Sequence, residues 1–176
     1  MDAPTELLPV KRAEVTRLQA TLHFDPAYEA EIPPLELDAL QSLTDFDEEA
    51  IRHFGGIVHY TLRFDLPEGI DLSAPIALDL GALSATASVW INGVRQRGVW
   101  HDGTVLSVDN LQEKDNWLKV SVGTFLRNRM IGDLILYGEP RAVPTSSSQD
   151  NLASDDRYLL PAGWIGPLSV LEYQKP

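Results

Sequence analysis

The segment Ile57–Leu66 reads Ile-Val-His-Tyr-Thr-Leu-Arg-Phe-Asp-Leu, and it decides the fold. Apolar side chains occupy every second position, which is the period of a strand with one face in a core and one in water. The buried face is Val58, Tyr60, Leu62 and Phe64. Pro67-Glu68-Gly69 follows at once, and proline has no N–H for a sheet, so the strand ends there.

The same alternation returns along the chain and predicts an all-β protein. Further strands are predicted at Val15–Phe24, Pro75–Leu80, Thr86–Ile91, Val94–Trp100, Val105–Val108, Trp117–Val122, Asp133–Tyr137 and Gly166–Tyr173. Asn92-Gly93 lies between two of them and is the strongest signal for a two-residue hairpin, because its turn needs positive φ at both positions.

Eight or nine strands at this spacing, with no long amphipathic helix between them, favour an antiparallel jelly-roll β-sandwich. Only Pro34–Leu43 and Phe46–His53 have a helical pattern. A chain of 176 residues with 44% hydrophobic and 23% charged residues fits one globular domain. We expect residues 1–10 to be a linker and residues 11–176 to form that domain.

Composition excludes several kinds of function. The chain has no cysteine, so it can hold no disulfide, thiol nucleophile or thiolate zinc site. Its net charge of −12 repels phosphate backbones and argues against nucleic acid as a partner. No apolar run approaches the ~20 residues of a membrane span, and the first residues lack the apolar core of a signal peptide. The chain is expected to be soluble, and its compartment stays open.

Charge is unevenly distributed along the chain. Residues 1–80 carry 16 acids against 5 Lys and Arg, whereas residues 81–176 carry 10 against 9. We interpret the excess as a solvated acidic face, because charge bias within one domain usually serves solubility.

Four segments, in order, resemble a known family. They are residues 40–45 (LQSLTD), residues 52–67 (RHFGGIVHYTLRFDLP), residues 78–81 with 87–93 (LDLG and ASVWING), and residues 128–133 with 159–167 (NRMIGD and LLPAGWIGP). Together they resemble the galactose-binding-like β-sandwich domain of large glycoside hydrolases, of the family 106 α-L-rhamnosidase and family 2 sugar-binding-domain type. Leu43 and Gly55 depart from the family pattern, which has Trp and Ser at these positions.

The resemblance implies a sandwich attached after a catalytic (β/α) barrel that carries the hydrolytic carboxylates. A barrel of that kind needs ~250 residues, more than this chain holds. We therefore expect this chain to be non-catalytic and to belong to a glycoside hydrolase, with the catalytic barrel as its partner.

The sequence contains no motif that predicts catalysis by this chain. Glycoside hydrolysis needs two opposed carboxyl groups, and among 26 acids some pair meets that distance by chance. The sequence contains no Gly-x-Ser-x-Gly elbow, and its four histidines lack the spacing of a metal-binding helix. His59 lies on the polar face of its strand, where a solvent-facing or hydrogen-bonded role is favoured over a catalytic one.

A sugar site requires an exposed aromatic ring beside planar polar groups. Trp100-His101-Asp102 follows a predicted strand and meets this requirement, with Arg95 and Arg97 on the same strand. These five residues are the candidate carbohydrate site, and the alternative is that Trp100 only caps the core.

Other residues are expected to hold the structure together. Asn92 and Gly93 form the hairpin turn, and Arg129 and Asp133, next to Asn128, can tie two loops through a bidentate ion pair. For Trp164, in a glycine-flanked segment, two readings stay open: it covers the sandwich, or it docks a neighbouring domain.

No cofactor is expected, although a structural calcium ion is a weaker alternative. Calcium binds carboxylate and carbonyl oxygens. Conceivable ligands are Asp45, Asp47, Glu48 and Glu172.

Three functions follow from these observations. The leading hypothesis is an accessory domain that packs on and stabilises a catalytic module and contacts carbohydrate. The alternative is a self-sufficient carbohydrate-binding module with its site at a loop end of the sandwich. A small independent enzyme is the third. An exposed apolar patch would favour the first, and a small aromatic and polar concavity the second.

Overall fold

A computed structural model describes residues 8–25, 31–100, 104–141 and 154–174. The strands in these ranges are β1 (Lys11–Glu14), β2 (Leu18–Phe24), β3 (Leu35–Leu37), β4 (Ile57–Phe64), β5 (Ile76–Asp79), β6 (Ala82–Leu83), β7 (Ala87–Ile91), β8 (Val94–Arg95), β9 (Val105–Val108), β10 (Asn116–Gly123), β11 (Trp164–Gly166) and β12 (Ser169–Glu172). The helices are α1 (Glu49–Arg52) and α2 (Leu126–Tyr137), with 3₁₀ turns at Leu43–Asp45 and Asp156–Tyr158.

The strands form an antiparallel sandwich, as the alternating pattern predicts. One sheet has the order β3-β2-β4-β10-β7-β8, a second has β1-β12-β5-β9, and β11 pairs with β6. Every described pair is antiparallel. The structure has more strands than predicted because several, such as β6 and β8, are only two residues long.

The hydrophobic core lies between the two large sheets. The four inward-facing residues of β4, Val58, Tyr60, Leu62 and Phe64, are buried, at 3% exposure or less. Antiparallel register sets Leu62 of β4 beside Leu118 of β10, and Leu118 beside Ile91 of β7, so one apolar layer runs across three strands. Leu78 of β5 and Val170 of β12 belong to the same core from the second sheet. The outward residues of β4, β10 and β7 form an opposite face that is open to solvent.

The hairpin joins β7 to β8 through Asn92 and Gly93, whose φ angles are 48° and 83°. The Asn92 Oδ1 also accepts a hydrogen bond of 2.7 Å from the Trp117 N–H, which ties the turn to β10. The returning strand is shorter than predicted. β8 ends at Arg95, and a single antiparallel bridge from Val99 to Ala87 follows it.

The strand predicted at Asp133–Tyr137 is wrong, because these residues are the last turns of α2. A short apolar run is compatible with a strand or with a buried helix, and periodicity alone does not separate them. The helix ends at Gly138, whose φ of 75° forms a left-handed cap and whose N–H donates to the Leu134 carbonyl. No helix in the described ranges has both the length and the apolarity to cross a bilayer.

Of the two segments with a helical pattern, one contains a helix and the other a strand. Phe46–His53 contains α1, as the pattern indicates. Pro34–Leu43 was predicted wrongly, since it contains the edge strand β3, which pairs with β2 through Leu37 and Ala20. The described end of the expected linker already touches the sheet, because the Val10 N–H donates to the Glu172 carbonyl at 2.8 Å.

Candidate functional site

Trp164 lies in the core of the sandwich, so it neither covers the sandwich from outside nor docks a neighbouring domain. It lies in β11 with no exposed surface, and its Nε1 donates to the Leu80 carbonyl at 2.6 Å. Its backbone N–H donates to the Tyr60 hydroxyl at 3.0 Å, and the two rings meet edge to face. Burial raises the pKa of Tyr60 to about 12, and the hydrogen bond from Trp164 offsets only part of that effect.

The ion pair of Arg129 and Asp133 lies within one helix and does not join two loops. The Arg129 Nε donates to the Asp133 Oδ1 at 2.8 Å, one helical turn away. The other Asp133 oxygen accepts from the Arg141 N–H at 2.8 Å, so this carboxylate holds the segment after α2 against the helix.

Asn128 fixes α2 to the rest of the domain. Its side chain is fully buried and pairs with the backbone of Leu160, as a second backbone strand would. The Asn128 Nδ2 donates to the Leu160 carbonyl at 2.7 Å, and its Oδ1 accepts from the Leu160 N–H at 2.9 Å. Through these bonds, the 158–160 segment is joined to the first turn of α2.

Exposed apolar side chains are concentrated in these two joined segments, α2 and 158–160, and we call them together the α2 patch. It holds five of the twelve large apolar side chains that are exposed among the described residues. These five, between 39% and 49% exposed, are Ile135, Leu136, Tyr137, Tyr158 and Leu160. Grouped exposed apolar side chains of this kind mark interaction surfaces more often than single ones do.

The three described residues of the predicted sugar site, Trp100, Arg95 and Arg97, have separate surroundings. Trp100 is 72% exposed, as a stacking platform must be. The Arg95 guanidinium lies 5.8 Å from the Trp90 ring centre, and Arg97 donates to the Val105 carbonyl at 2.7 Å. His101 and Asp102 lie outside the described residues.

Trp100 instead lines a concavity that the sequence did not reveal, and we call it the sheet-face cleft. It lies on the outer face of β4, β10 and β7 and has a volume of about 550 Å³. Its lining residues are Ile57, His59, Thr86, Ala87, Ser88, Trp90, Gly98, Val99, Trp100, Ser121 and Gly123. They come from four separate parts of the sequence, and only strand register brings them together.

The floor of the cleft is a polar row across three strands. Register places His59 beside Ser121 and Ser121 beside Ser88. The His59 Nδ1 lies 2.7 Å from the Ser121 Oγ, and its Nε2 lies 2.9 Å from the Asp25 Oδ1. A carboxylate only accepts, so Asp25 favours the tautomer that carries its proton on Nε2, and in that tautomer Nδ1 accepts from the Ser121 hydroxyl.

The order Asp25, His59, Ser121 is that of a catalytic triad, but the surroundings do not support acyl transfer. That chemistry needs backbone N–H groups aimed at the developing oxyanion. Ser121 lies in the middle of β10, which pairs with β4 on one side and β7 on the other. The sheet therefore takes up the N–H groups around Ser121, and the row is suited to binding hydroxyl groups.

A buried carboxylate on the other sheet has a structural role. Asp79 accepts from the Gly81 N–H at 2.9 Å, from the Thr104 hydroxyl at 2.9 Å and from Arg12 at 2.5 Å. Burial acts to raise the pKa of Asp79, but these three hydrogen bonds and the Arg12 charge outweigh it and hold the pKa below its usual value.

The structure gives the calcium alternative no side-chain cluster. In the described part of the chain, no three His, Asp or Glu side chains gather closely enough to hold an ion. The four predicted ligands, Asp45, Asp47, Glu48 and Glu172, therefore form no such cluster. Glu172 is engaged elsewhere, accepting from the Asp71 N–H at 3.0 Å.

Comparison with known proteins finds similar solved structures among glycoside hydrolases. No family model and no curated protein matches the sequence. Among solved structures, a rhamnosidase from Novosphingobium sp. PP1Y superposes with a TM-score of 0.71 and 25% sequence identity, over 98% of this chain and 16% of that one. A β-glucuronidase from Ruminococcus gnavus superposes with a TM-score of 0.60 and 15% identity, over 96% of this chain and 30% of that one.

The same β-glucuronidase in complex with uronic deoxynojirimycin gives a TM-score of 0.59 at 14% identity, over 96% of this chain and 32% of the other. The chain thus spans between about a sixth and a third of the length of these neighbours. It has the fold of a β-sandwich domain that forms a minor part of large glycoside hydrolases, and the resemblance given by its motifs is confirmed.

Proposed function

Because the chain corresponds to a small part of each of these hydrolases, we propose that it is a non-catalytic accessory domain of an α-L-rhamnosidase-like glycoside hydrolase. It packs on the catalytic module and stabilises it. The observation that carries this proposal is the asymmetry of coverage, 98% of this chain against 16% of the rhamnosidase. The whole sandwich is matched, while most of the larger enzyme lies outside the match.

The α2 patch is the contact surface that this role requires. An accessory domain separated from its catalytic module exposes the apolar side chains that the contact would cover. The patch is held rigid by the Asn128 pairing with Leu160 and by the Arg129–Asp133 ion pair. A preformed surface of this kind binds without the entropic cost of ordering a loop.

A chimera tests the accessory role. This chain replaces the matching segment of the Novosphingobium rhamnosidase, and Leu136→Asp is introduced into the α2 patch. We expect the chimera to melt above the rhamnosidase that lacks the segment, and Leu136→Asp to remove that gain. The matched control is Val94→Asp, which charges a similarly exposed apolar residue outside the α2 patch, on the edge strand β8. Equal melting temperatures for the two charged variants would contradict the α2 patch as the contact.

Turnover by the chain alone provides an independent check. A non-catalytic domain hydrolyses no aryl rhamnoside or aryl glucuronide, whereas the chimera should retain the turnover of its barrel. Hydrolysis by the isolated chain, abolished by one Asp or Glu substitution, would overturn the non-catalytic assignment.

A self-sufficient carbohydrate-binding module is the second candidate. The exposed Trp100 beside the sheet-face cleft favours it, since an aromatic and polar concavity is what a sugar site needs. This role would require the chain to bind sugar with no catalytic module present, and the accessory role does not.

A further inference from the structure

We propose that the sheet-face cleft binds a neutral pyranose sugar, with Trp100 as the stacking platform and the row of His59, Ser121 and Ser88 as the hydroxyl-binding floor. The proposal deepens the carbohydrate-binding candidate and moves its site from the loop end to the face of the six-stranded sheet. The accessory role does not depend on it, because the cleft and the α2 patch share no residue.

The cleft has the size and construction of a site for a small ligand. Its volume of about 550 Å³ falls within the range of roughly 300–1,000 Å³ that is usual for such sites. The floor is built from three adjacent strands of the sheet, so its shape is fixed before any ligand arrives. Preformed geometry of this kind favours binding because little is left to be ordered.

The two tryptophans of the cleft differ in what they can offer a ligand. The Lys119 Nζ lies 5.5 Å from the Trp90 ring centre and the Arg95 guanidinium lies 5.8 Å from it. Lys119 is on β10 and Arg95 on β8, the two neighbours of β7, so the cations approach Trp90 from opposite sides. Trp90 therefore presents its edge, and Trp100, which is 72% exposed, supplies the free ring face.

The floor supplies donors and acceptors suited to sugar hydroxyl groups. Ser121 is already bonded to His59, which Asp25 orients in turn, so the direction of this hydrogen-bond chain is set. The Ser88 hydroxyl makes no hydrogen bond to any other described residue, and it lies next to Ser121 across β7 and β10. A sugar hydroxyl both donates and accepts, so it can form hydrogen bonds with Ser121 and with Ser88 at the same time.

Charge decides between a neutral sugar and a uronate. Among the described lining residues, His59 is the single titratable side chain, and it already faces the carboxylate of Asp25. The nearby cations Lys119 and Arg95 pack on Trp90 and are absent from the lining. A buried sugar carboxylate would lack the paired cation that such a charge needs, so neutral pyranoses are preferred.

The test is a titration of the full chain, followed through the tryptophan indole signals by ¹H–¹⁵N NMR. The probes are methyl α-L-rhamnopyranoside, methyl β-D-galactopyranoside and glucuronate. We expect a saturable shift of the Trp100 indole with at least one neutral glycoside, and weaker binding of glucuronate. Trp100→Ala should raise the dissociation constant about tenfold or more, and Ser121→Ala should raise it by a factor of roughly 2–10.

Tyr158→Ala is the matched control, because Tyr158 is an exposed aromatic residue of the α2 patch and should leave sugar affinity unchanged. Three results would each overturn the proposal. They are the absence of a saturable shift with both neutral glycosides up to about 20 mM, an unchanged dissociation constant in Trp100→Ala when the Trp90 indole is followed, and binding of glucuronate that is as tight as that of the neutral glycosides or tighter. None of these results changes the expected melting temperatures of the chimera, so the two proposals can fail separately.

Discussion

Asn128→Ala tests whether one buried amide holds α2 on the sandwich. The substitution removes two hydrogen bonds, of 2.7 Å and 2.9 Å, and leaves the Leu160 C=O and N–H without their partner. Each bond contributes about 1 kcal/mol net, and each backbone group left unpaired costs about as much again where water is excluded. Leu160 is 39% exposed, so water recovers part of that cost. We expect the free energy of unfolding to fall by about 2–4 kcal/mol.

Equilibrium urea unfolding measures the loss, and thermal melting checks it. For a domain of this size, 1 kcal/mol corresponds to about 2–4 °C, so the melting temperature should fall by roughly 4–16 °C. Hydrogen exchange should show the amides of α2 opening before those of β4 and β10. A fall in unfolding free energy below about 0.5 kcal/mol would refute the reasoning, because an ordinary surface substitution does as much.

Asn128→Asp is the matched control for the amide donor. It keeps the shape of the side chain and the acceptor for the Leu160 N–H, but it sets a carboxylate oxygen against the Leu160 C=O. Two acceptors cannot bond, and the charge would be buried, so this variant should be at least as unstable as Asn128→Ala at neutral pH. A stable Asn128→Asp variant would show that the donated hydrogen bond contributes nothing.

Two further substitutions probe backbone geometry and charge. A Cβ at Gly163 would lie 2.3 Å from the Tyr60 hydroxyl oxygen, and Gly163 has a φ of 87°; Gly163→Ala should therefore melt well below Gly138→Ala, where φ is 75° but the Cβ meets nothing within 4 Å. Equal losses would show that backbone conformation, and not the contact with Tyr60, matters there. Asp79→Asn should cost about 1–3 kcal/mol at pH 7. The folded-state pKa of Asp79 lies below its usual value of 3.8, so the wild-type advantage is present above that pH and fades as the pH falls below it. Urea midpoints at pH 7 and pH 3 measure this, and a constant difference would contradict it.

The sheet could be predicted from the sequence because its signal is local. The alternation in Ile57–Phe64 fixes which side chains point inward, and Val105–Val108 was predicted with the bounds that the structure shows. Asn92-Gly93 likewise determines its own turn through two positive φ angles.

Helix α2 was missed because its signals lie at spacings that strand patterns do not use. Arg129 and Asp133 are four residues apart and Gly138 follows the last apolar residue, which together are typical of a helix with a left-handed cap. Read singly, the pair suggested a link between loops and the apolar run suggested a strand. Trp164 was misplaced for a related reason, since its flanking glycine was taken for a loop signal where it allows close packing on Tyr60.

The sheet-face cleft could not be predicted from the sequence, because only the strand register creates it. His59, Ser88 and Ser121 are separated by 29 to 62 positions, yet they occupy one row of the sheet. Trp100 was singled out for its exposure, and Arg95 and Arg97 were grouped with it because they are near it in the sequence, which does not make them near it in space. Arg97 shows the difference, since it bonds to Val105 and lines no part of the cleft.

The pairing of β1 with β12 brings the first and last described strands side by side. Lys11 and Glu172 lie opposite each other on adjacent strands, although 161 positions separate them in the sequence. A module whose entry and exit are neighbours can be inserted into a host protein without displacing its two flanks from each other. A circular permutant can join Lys11 to Glu172 by a short loop and open the chain at the Asn92–Gly93 turn. It would lose only the covalent connection between β7 and β8, and every strand of the sandwich would keep its neighbours.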